Sequence, residues 1–361
     1  MKKQQLISGV VLAGLVALGF YAQYRYPINW HEVLTQFKSA RWRDFATGLA
    51  CIYLVYGFRS ARWAMLLKHH KSIPPLSLLG TQVIGFTALA LVGRAADPVR
   101  PYLISRKTGL SLSSQFAVYV VERLFDAGSM AVIFSIGMLG FSQAEVLRAA
   151  GHSGIVTFLG LHSPHLAVLF ARFGGLLLTV LGTFFLIAIR HGGPAIAGFS
   201  ARILSPFSRT LSLSVSEKIR SFHSGLDAVR TFGEFSVIGT LSILMWVLIT
   251  LAYLITCRAF ADSPELSGVT FSQCILLMIV SAVGGLIQLP VVGWFTQAGL
   301  IAISISSLFG ASREASMACA ASLLLVTYIG VIPLGLIWAQ FENISLRRVT
   351  SDSELTQAAM K

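Results

Sequence analysis

The sequence predicts an all-α, polytopic membrane protein. Hydrophobic residues make up 55% of the 361 positions and charged residues only 12%, and the mean hydropathy is +0.74. Several apolar stretches approach the roughly 20 residues that a membrane-spanning helix needs. This composition excludes a soluble globular protein. We therefore expect a bundle of about six full spans, with two further segments that are interrupted or re-entrant.

Charge and cysteine usage exclude several other classes of function. The net charge of +13 comes from basic residues spread over short loops, which is typical of cytoplasmic loops that face anionic lipid. No basic cluster predicts nucleic-acid binding. The four cysteines form no Cys-x-x-Cys pair, so neither a disulfide framework nor a zinc site is expected. No metal and no cofactor is predicted.

The first half of the chain is expected to alternate long helices with one broken segment. The apolar pattern predicts an anchor helix at 5–24, a short surface helix within 29–45, and long helices at 45–67 and 115–141. Residues 76–93 are apolar but short, and Pro98 and Pro101 follow them. Counts of basic residues on either side favour re-entry over spanning. Such backbone is tolerated at membrane depth only where it is packed in protein or lines a cavity.

The second half repeats this alternation. Spans are predicted at 166–189, 237–260 and 317–341, and an interrupted segment is predicted at 270–308. Pro290, Gly293 and Gly299 are expected to break the latter near the membrane midplane. Two interrupted segments in corresponding positions are the signature of an inverted-repeat transporter, and the sequence raises that option here.

The predicted organisation is one transmembrane domain with a defined orientation. The domain covers 1–341, with halves at 1–165 and 166–341, and a polar tail covers 342–361. An amphipathic cytoplasmic helix is expected within 197–235, because that loop is basic. The loop at 143–165 should then lie outside, and both termini inside. The expected location is the cytoplasmic (inner) membrane of the cell.

Six ionisable residues interrupt apolar sequence between positions 91 and 126. Each would cost about 2.5–3.5 kcal/mol at the bilayer centre, so they must face the protein interior and pair with one another. Three are basic and three acidic, which predicts a cluster that is neutral overall. An intramembrane charge is by default a functional-site hypothesis, and the residues are Arg94, Asp97, Arg100, Glu122, Arg123 and Asp126.

Two further groups are candidates for binding lipid. Arg59, Arg62 and Trp63 lie at the end of a predicted span, where they indicate either arginines that snorkel to the interface or a docking point for lipid phosphate. Pro290, Gly293, Trp294 and Gln297 lie in the second interrupted segment. We expect Trp294 and Gln297 to face the arginines, and the alternative is a plain proline kink.

The motifs resemble a known family. They are Arg59-Ser-Ala-Arg62-Trp63, Gly93-Arg94-Ala-Ala96-Asp97-Pro-Val-Arg100-Pro, Arg106-Lys-Thr-Gly109-Leu-Ser and Val120-Val-Glu122-Arg123-Leu-Phe-Asp126. Together they are similar to the transmembrane region of lysylphosphatidylglycerol synthase, a flippase-like family of bacterial and archaeal membrane proteins. The family has Gly-Glu where this chain has Ala96 and Asp97, and it has an acid in its second-half motif that is missing here. No aminoacyl-transferring domain is expected after the last helix.

The resemblance implies a protein that handles lipid, and three functions remain open. The first is translocation of a polar-headed lipid between leaflets through a charged groove. The second is a membrane accessory or enzyme of glycolipid or polyprenyl-phosphate synthesis, in which Glu122 and Asp126 would be the acid–base pair. The third is a purely structural role. The first is favoured, which predicts no enzymatic activity. Expected partners are membrane lipids with anionic or polar headgroups, with lipid-synthesis enzymes and a second copy of the chain as further options.

Overall fold

A computed structural model of the protein describes residues 27–142, 229–285 and 292–342, with Tyr24 and scattered positions between 168 and 202. Within these ranges all regular structure is helical, which confirms the all-α prediction. Three helices are both long and apolar enough to cross a membrane: Pro75–Ala96, Phe232–Arg258 and Arg313–Phe341. The predicted anchor helix, most of the amphipathic loop and most of the tail lie outside the described residues.

The described residues of the first half contain five α-helices. They are α1 (Trp30–Ser39), α2 (Trp42–Leu67), α3 (Pro75–Val92), α4 (Val99–Thr108) and α5 (Leu112–Leu139). The predicted surface helix is α1, and it begins where the Asn29 side chain accepts hydrogen bonds from two backbone N–H groups of the first turn. Helices α2 and α5 have 26 and 28 residues, so both have the length of a span although they carry the charged residues.

The described residues of the second half contain five longer helices, and a short helix, Pro264–Ser267, lies between the first two of them. The longer helices are α6 (Phe232–Arg258), α7 (Phe271–Gly284), α8 (Val292–Ser304, prolonged by a π-helical turn at Ile305–Phe309), α9 (Arg313–Thr327) and α10 (Ile332–Phe341). A 3₁₀ turn at Ile329–Val331 separates the last two. Pro333 lies in the first turn of α10, where it has no N–H to donate to the preceding turn.

Helices α3 and α4 form a hairpin, which we call the first hairpin. The chain turns through a 3₁₀ segment at Gly93–Ala96, and Gly93 has φ of 80°, a conformation that glycine adopts most readily. The chain then returns to its starting level, since Lys71 Nζ donates to the Thr108 carbonyl at 2.7 Å. Helix α3 is by itself long and apolar enough to cross a membrane, so re-entry of this segment stays a prediction.

Helices α7 and α8 form the second hairpin. Gly284 packs directly against Gln297, since a Cβ on Gly284 would lie 3.3 Å from the Gln297 Cα. Gly293 lies in the first turn of α8, just after the interruption that separates α8 from α7, whereas Gly299 lies inside α8, so the predicted break at Gly299 is wrong. A glycine in a helix interior costs only about 1 kcal/mol, less than leaving backbone groups unsatisfied in hydrocarbon. Pro290 lies outside the described residues.

The two hairpins enter the bundle from opposite ends. Helices α2 and α6 are antiparallel, because the Arg41 N–H donates to Ala259 O at 2.9 Å and His69 lies 2.8 Å from Glu234 at the other end. The first hairpin begins just after α2 ends. The second begins just after α6 ends, where Arg258 Nε donates to Val269 O at 3.1 Å.

Within the described residues, 42–139 and 232–341 therefore share one order: a long helix, a hairpin, then a second long helical segment. The closing segments are α5 in the first half and α9–α10 in the second. Helix α5 ends beside the second hairpin, where Gly137 packs against Ile275. Helix α10 ends beside the first, where Lys107 Nζ is 2.7 Å from Glu342 Oε1. This is the arrangement of an inverted repeat.

The tips of the hairpins contact each other. Arg94 Nε in the first hairpin donates to the Gly285 carbonyl of the second at 3.1 Å. Trp294 Nε1 in the second donates to the Ala90 carbonyl of the first at 2.9 Å. The predicted contact between the interrupted segments is present, and both bonds use backbone carbonyls at helix ends.

Candidate functional site

Helices α2, α4 and α5 bring six charged side chains together. We call this group the arginine cluster, and its members are Arg59, Arg62, Arg100, Glu122, Arg123 and Asp126. Helical spacing explains the arrangement, because residues three and four apart share one face. Arg59 and Arg62 therefore point the same way from α2, as Glu122 and Asp126 do from α5.

Arg62 lies at the centre of the arginine cluster. Its side chain has no exposed surface, and its guanidinium lies 2.6 Å from Glu122 Oε1 and 2.6 Å from Asp126 Oδ1. It also donates to Ser242 Oγ of α6 at 2.7 Å. A fully buried side chain cannot reach the membrane interface, so the snorkelling interpretation is wrong for Arg62.

Arg100 and Arg123 complete the pairing of the two carboxylates. Arg100 Nη1 lies 3.2 Å from Glu122 Oε2 and donates to Gln82 Oε1 at 3.2 Å. Arg123 Nη2 lies 3.0 Å from Asp126 Oδ2, and its side chain is 38% exposed. The predicted proximity of Arg100 to the acids is confirmed, and Arg123 is the most exposed member of the cluster.

Arg59 differs from the other arginines because it forms only long ion pairs. Its Nη1 is 3.7 Å from an oxygen of Glu122 and 3.7 Å from one of Asp126, beyond hydrogen-bond distance. That buried nitrogen has no hydrogen-bond partner among the described residues. The guanidinium carbons of Arg59 and Arg100 lie 4.7 and 4.6 Å from the Phe86 ring centre, a cation–π geometry.

The prediction that the charged residues form a cluster that is neutral overall is wrong. Four guanidinium groups face two carboxylates, and arginine stays protonated in proteins. The difference arises because α2 contributes Arg59 and Arg62. Arg94 and Asp97 lie at the tip of the first hairpin, 3.7 Å from each other and partly exposed, and their charges cancel.

A cavity of about 160 Å³ adjoins Arg59 between the two halves of the protein. Arg59 and Phe86 line one part of it. The other lining residues are largely apolar, but hydroxyl groups also reach its wall from Tyr56, Tyr253, Tyr328 and Ser281.

The remaining predicted residues are divided between the cluster and the hairpins. Trp63 is buried beside the cluster, where its Nε1 donates to Gln115 Oε1 at 3.1 Å and its ring lies 5.4 Å from the Arg100 guanidinium carbon. Trp294 lies at the hairpin contact. Gln297 donates to Ser281 within the second hairpin, and Ser281 lines the cavity that adjoins Arg59.

Several uncharged residues of the site were not predicted from the sequence. Gln82, Gln115 and Ser242 are fully buried and bond to the charged residues or to Trp63. A glutamine within an otherwise apolar helix is a usable signal, since it needs a polar partner there. Among the described residues, no three His, Cys, Asp or Glu side chains are grouped as metal ligands.

Two opposed hairpins around buried charges, in a chain this apolar, define a polytopic membrane protein with an intramembrane polar site. Residues 5–335 match the family described as "Lysylphosphatidylglycerol synthase TM region", and the chain belongs to that family. It is thus a membrane protein of a family associated with lipid handling. Among curated proteins, none matches this chain.

Proposed function

We propose that this protein translocates a polar-headed lipid between the leaflets of the membrane. The observation that carries the proposal is the arginine cluster, which holds two uncompensated positive charges beside a cavity between the halves. A lipid headgroup that crosses hydrocarbon without partners loses its hydration at high cost. The cluster offers such a headgroup fixed charges in place of water.

The fold supports the same proposal. The hairpins enter from opposite ends and meet at their tips, so each end of the bundle has one element that leads towards the middle. Inverted repeats with interrupted helices around a central site are the usual architecture for alternating access. The proposed orientation places the start of the first hairpin, together with both chain termini, on the cytoplasmic side of the inner membrane.

Transport also fits the cluster better than acid–base catalysis does. A general acid or base must be free to exchange a proton with a substrate. Glu122 and Asp126 each accept a short ion pair from Arg62 and face further arginines. Those contacts hold both groups as carboxylates and leave neither available.

Reconstituted vesicles with fluorescent short-chain lipids test the proposal. Arg100→Gln should abolish protein-dependent movement of lipid to the inner leaflet, because Arg100 links the first hairpin to Glu122. The matched control is Arg106→Gln, which changes an exposed arginine of the same hairpin and should retain the wild-type rate. Wild-type transport by Arg100→Gln would contradict the proposal, as would chemical turnover of lipid in detergent, where leaflets do not exist.

A further inference from the structure

The charge of the arginine cluster restricts which headgroup it can accept. Four guanidiniums against two carboxylates leave two positive charges, and three of the four arginine side chains are at most 8% exposed. Uncompensated charge of one sign is costly in a low-dielectric interior. A ligand that carries two negative charges would neutralise the site.

The unused hydrogen-bonding capacity of the site is mainly donor capacity. In and around the arginine cluster, buried donor atoms without a hydrogen-bond partner among the described residues belong to Arg59, Arg62, Arg123, Gln82 and Gln115. The two unbonded acceptors, Glu122 Oε2 and Asp126 Oδ2, each already have a guanidinium nitrogen within 3.2 Å. The missing partner is therefore an acceptor with several oxygens.

The position of Arg59 indicates how such a ligand would lie. Arg59 is only 7% exposed, its Nη1 has no hydrogen-bond partner among the described residues, and it lines the cavity. Beyond it the lining is formed by side chains such as Val55, Leu89 and Ile249. An anionic group at Arg59 would thus be followed by an apolar chain in the cavity.

We propose that the arginine cluster binds the terminal phosphate of a phosphomonoester lipid. This rests on the proposed function for the lipid nature of the ligand. A phosphomonoester carries about −1.5 to −2 charges at pH 7 and three acceptor oxygens, and arginine binds phosphate through paired hydrogen bonds. A phosphodiester lipid brings one negative charge, and a zwitterionic lipid brings none net. An aminoacylated headgroup adds cations that the cluster would repel.

Calorimetry on the purified full-length chain in detergent tests the ligand class. The probes are dioctanoyl phosphatidic acid, dioctanoyl phosphatidylglycerol, dioctanoyl phosphatidylcholine and inorganic phosphate. Phosphatidic acid should bind at least about tenfold more tightly than phosphatidylglycerol, and phosphatidylcholine should not bind measurably. Equal affinity for phosphatidic acid and either other lipid would overturn the proposal. Inorganic phosphate binding as tightly as phosphatidic acid would overturn its lipid part, because the cavity would then contribute nothing.

Arg59→Gln tests the site itself. This change removes no hydrogen bond that the Arg59 Nη1 makes to the described residues, so folding should be preserved, and thermal unfolding in detergent verifies that. Affinity for phosphatidic acid should fall about tenfold or more, as expected for loss of a charge-assisted hydrogen bond. Arg106→Gln should bind as the wild type does. Unchanged affinity in a folded Arg59→Gln protein would exclude the cluster as the phosphate site.

Translocation measured on the same lipids separates this proposal from the function on which it rests. Tight, Arg59-dependent binding of phosphatidic acid without movement of any lipid would uphold the ligand class and refute transport. Equal transport of phosphatidylcholine and phosphatidic acid, with no preference in binding, would uphold transport and refute the ligand class.

Discussion

At the scale of single residues, two arginines one turn apart on α2 have opposite roles. Arg62 is held by two ion pairs of 2.6 Å and a hydrogen bond to Ser242, so it joins α2, α5 and α6. Arg59 lies 3.7 Å from the same carboxylates and adds to the excess positive charge. The first stabilises the fold, whereas the second is available to a ligand.

This difference predicts opposite effects on stability. Arg62→Met should lower the free energy of unfolding by about 3–5 kcal/mol, because it leaves buried carboxylates without their main partner. Arg59→Gln should leave stability unchanged or raise it, since it removes one like charge from the group. Thermal unfolding of both variants in the same detergent measures the contrast. Equal destabilisation would show that Arg59 is as much a structural residue as Arg62.

The pairing within the cluster could be predicted from the sequence, but its total charge could not. An unpaired charge inside a membrane is costly wherever it lies in the sequence. The prediction that Arg100 lies near an acid such as Glu122 therefore needed no knowledge of the fold. The contribution of α2 depends on tertiary packing between segments some 60 residues apart. Nothing in the local sequence distinguishes a snorkelling Arg62 from a buried one.

At the scale of elements, one close approach fixes the geometry of the first hairpin. Gly85 of α3 faces α4 so closely that a Cβ there would overlap Cγ of Arg100. Arg100 in turn reaches Gln82 and Glu122. The absence of a side chain at Gly85 thus positions the guanidinium within the cluster.

Gly85→Ala should therefore destabilise the protein by about 1–3 kcal/mol, the usual cost of overpacking, and should displace Arg100. Gly57→Ala on α2 is the matched control, because a Cβ there meets nothing within 4 Å. The control should be neutral or stabilising by up to about 1 kcal/mol. Chemical or thermal denaturation compares the two, and equal effects would mean that α3 and α4 are not packed this closely.

The bounds of two long helices were close to those predicted from the sequence. Helix α2 was expected at 45–67 and is found at Trp42–Leu67, and α5 was expected at 115–141 and is found at Leu112–Leu139. By contrast, α8 continues through Gly299, where a break was predicted, and the predicted helix at 317–341 is divided at Tyr328. In an almost wholly apolar segment, few polar residues alternate with apolar ones at helical spacing, so the sequence does not mark where the helix ends. Packing against neighbouring helices then decides where it is interrupted.

At the scale of the whole molecule, the inverted repeat follows from contacts rather than from sequence similarity. Two proline-interrupted segments suggested it, but only the antiparallel packing of α2 and α6 relates the halves. The same relation fixes the two ends of the bundle. One carries Lys71, Thr108 and Glu342, and the other carries Arg41 and Ala259.

The proposed orientation can be tested with an impermeant maleimide on intact cells. Ser153→Cys, in the loop predicted to be outside, should react, whereas Ser205→Cys, in the basic loop, should react only after lysis. The native cysteines provide a low background because all four are buried. Labelling of position 205 but not 153 in intact cells would invert the orientation.

Because the hairpin tips contact each other, we predict that the two tips separate during transport. Among the described residues, two hydrogen bonds to backbone carbonyls join the tips directly, one from Arg94 and one from Trp294, and breaking these two bonds has a modest cost. In the variant Arg94→Cys/Trp294→Cys, a short flexible bis-maleimide should join the hairpins and stop lipid translocation, relative to the same variant before crosslinking.

The control pair Leu76→Cys/Trp294→Cys should not crosslink, because Leu76 is separated from Arg94 by α3, a helix roughly 27 Å long. A crosslinked protein that still moves lipid at the uncrosslinked rate would show that the hairpins move as one body, and the path would then open elsewhere.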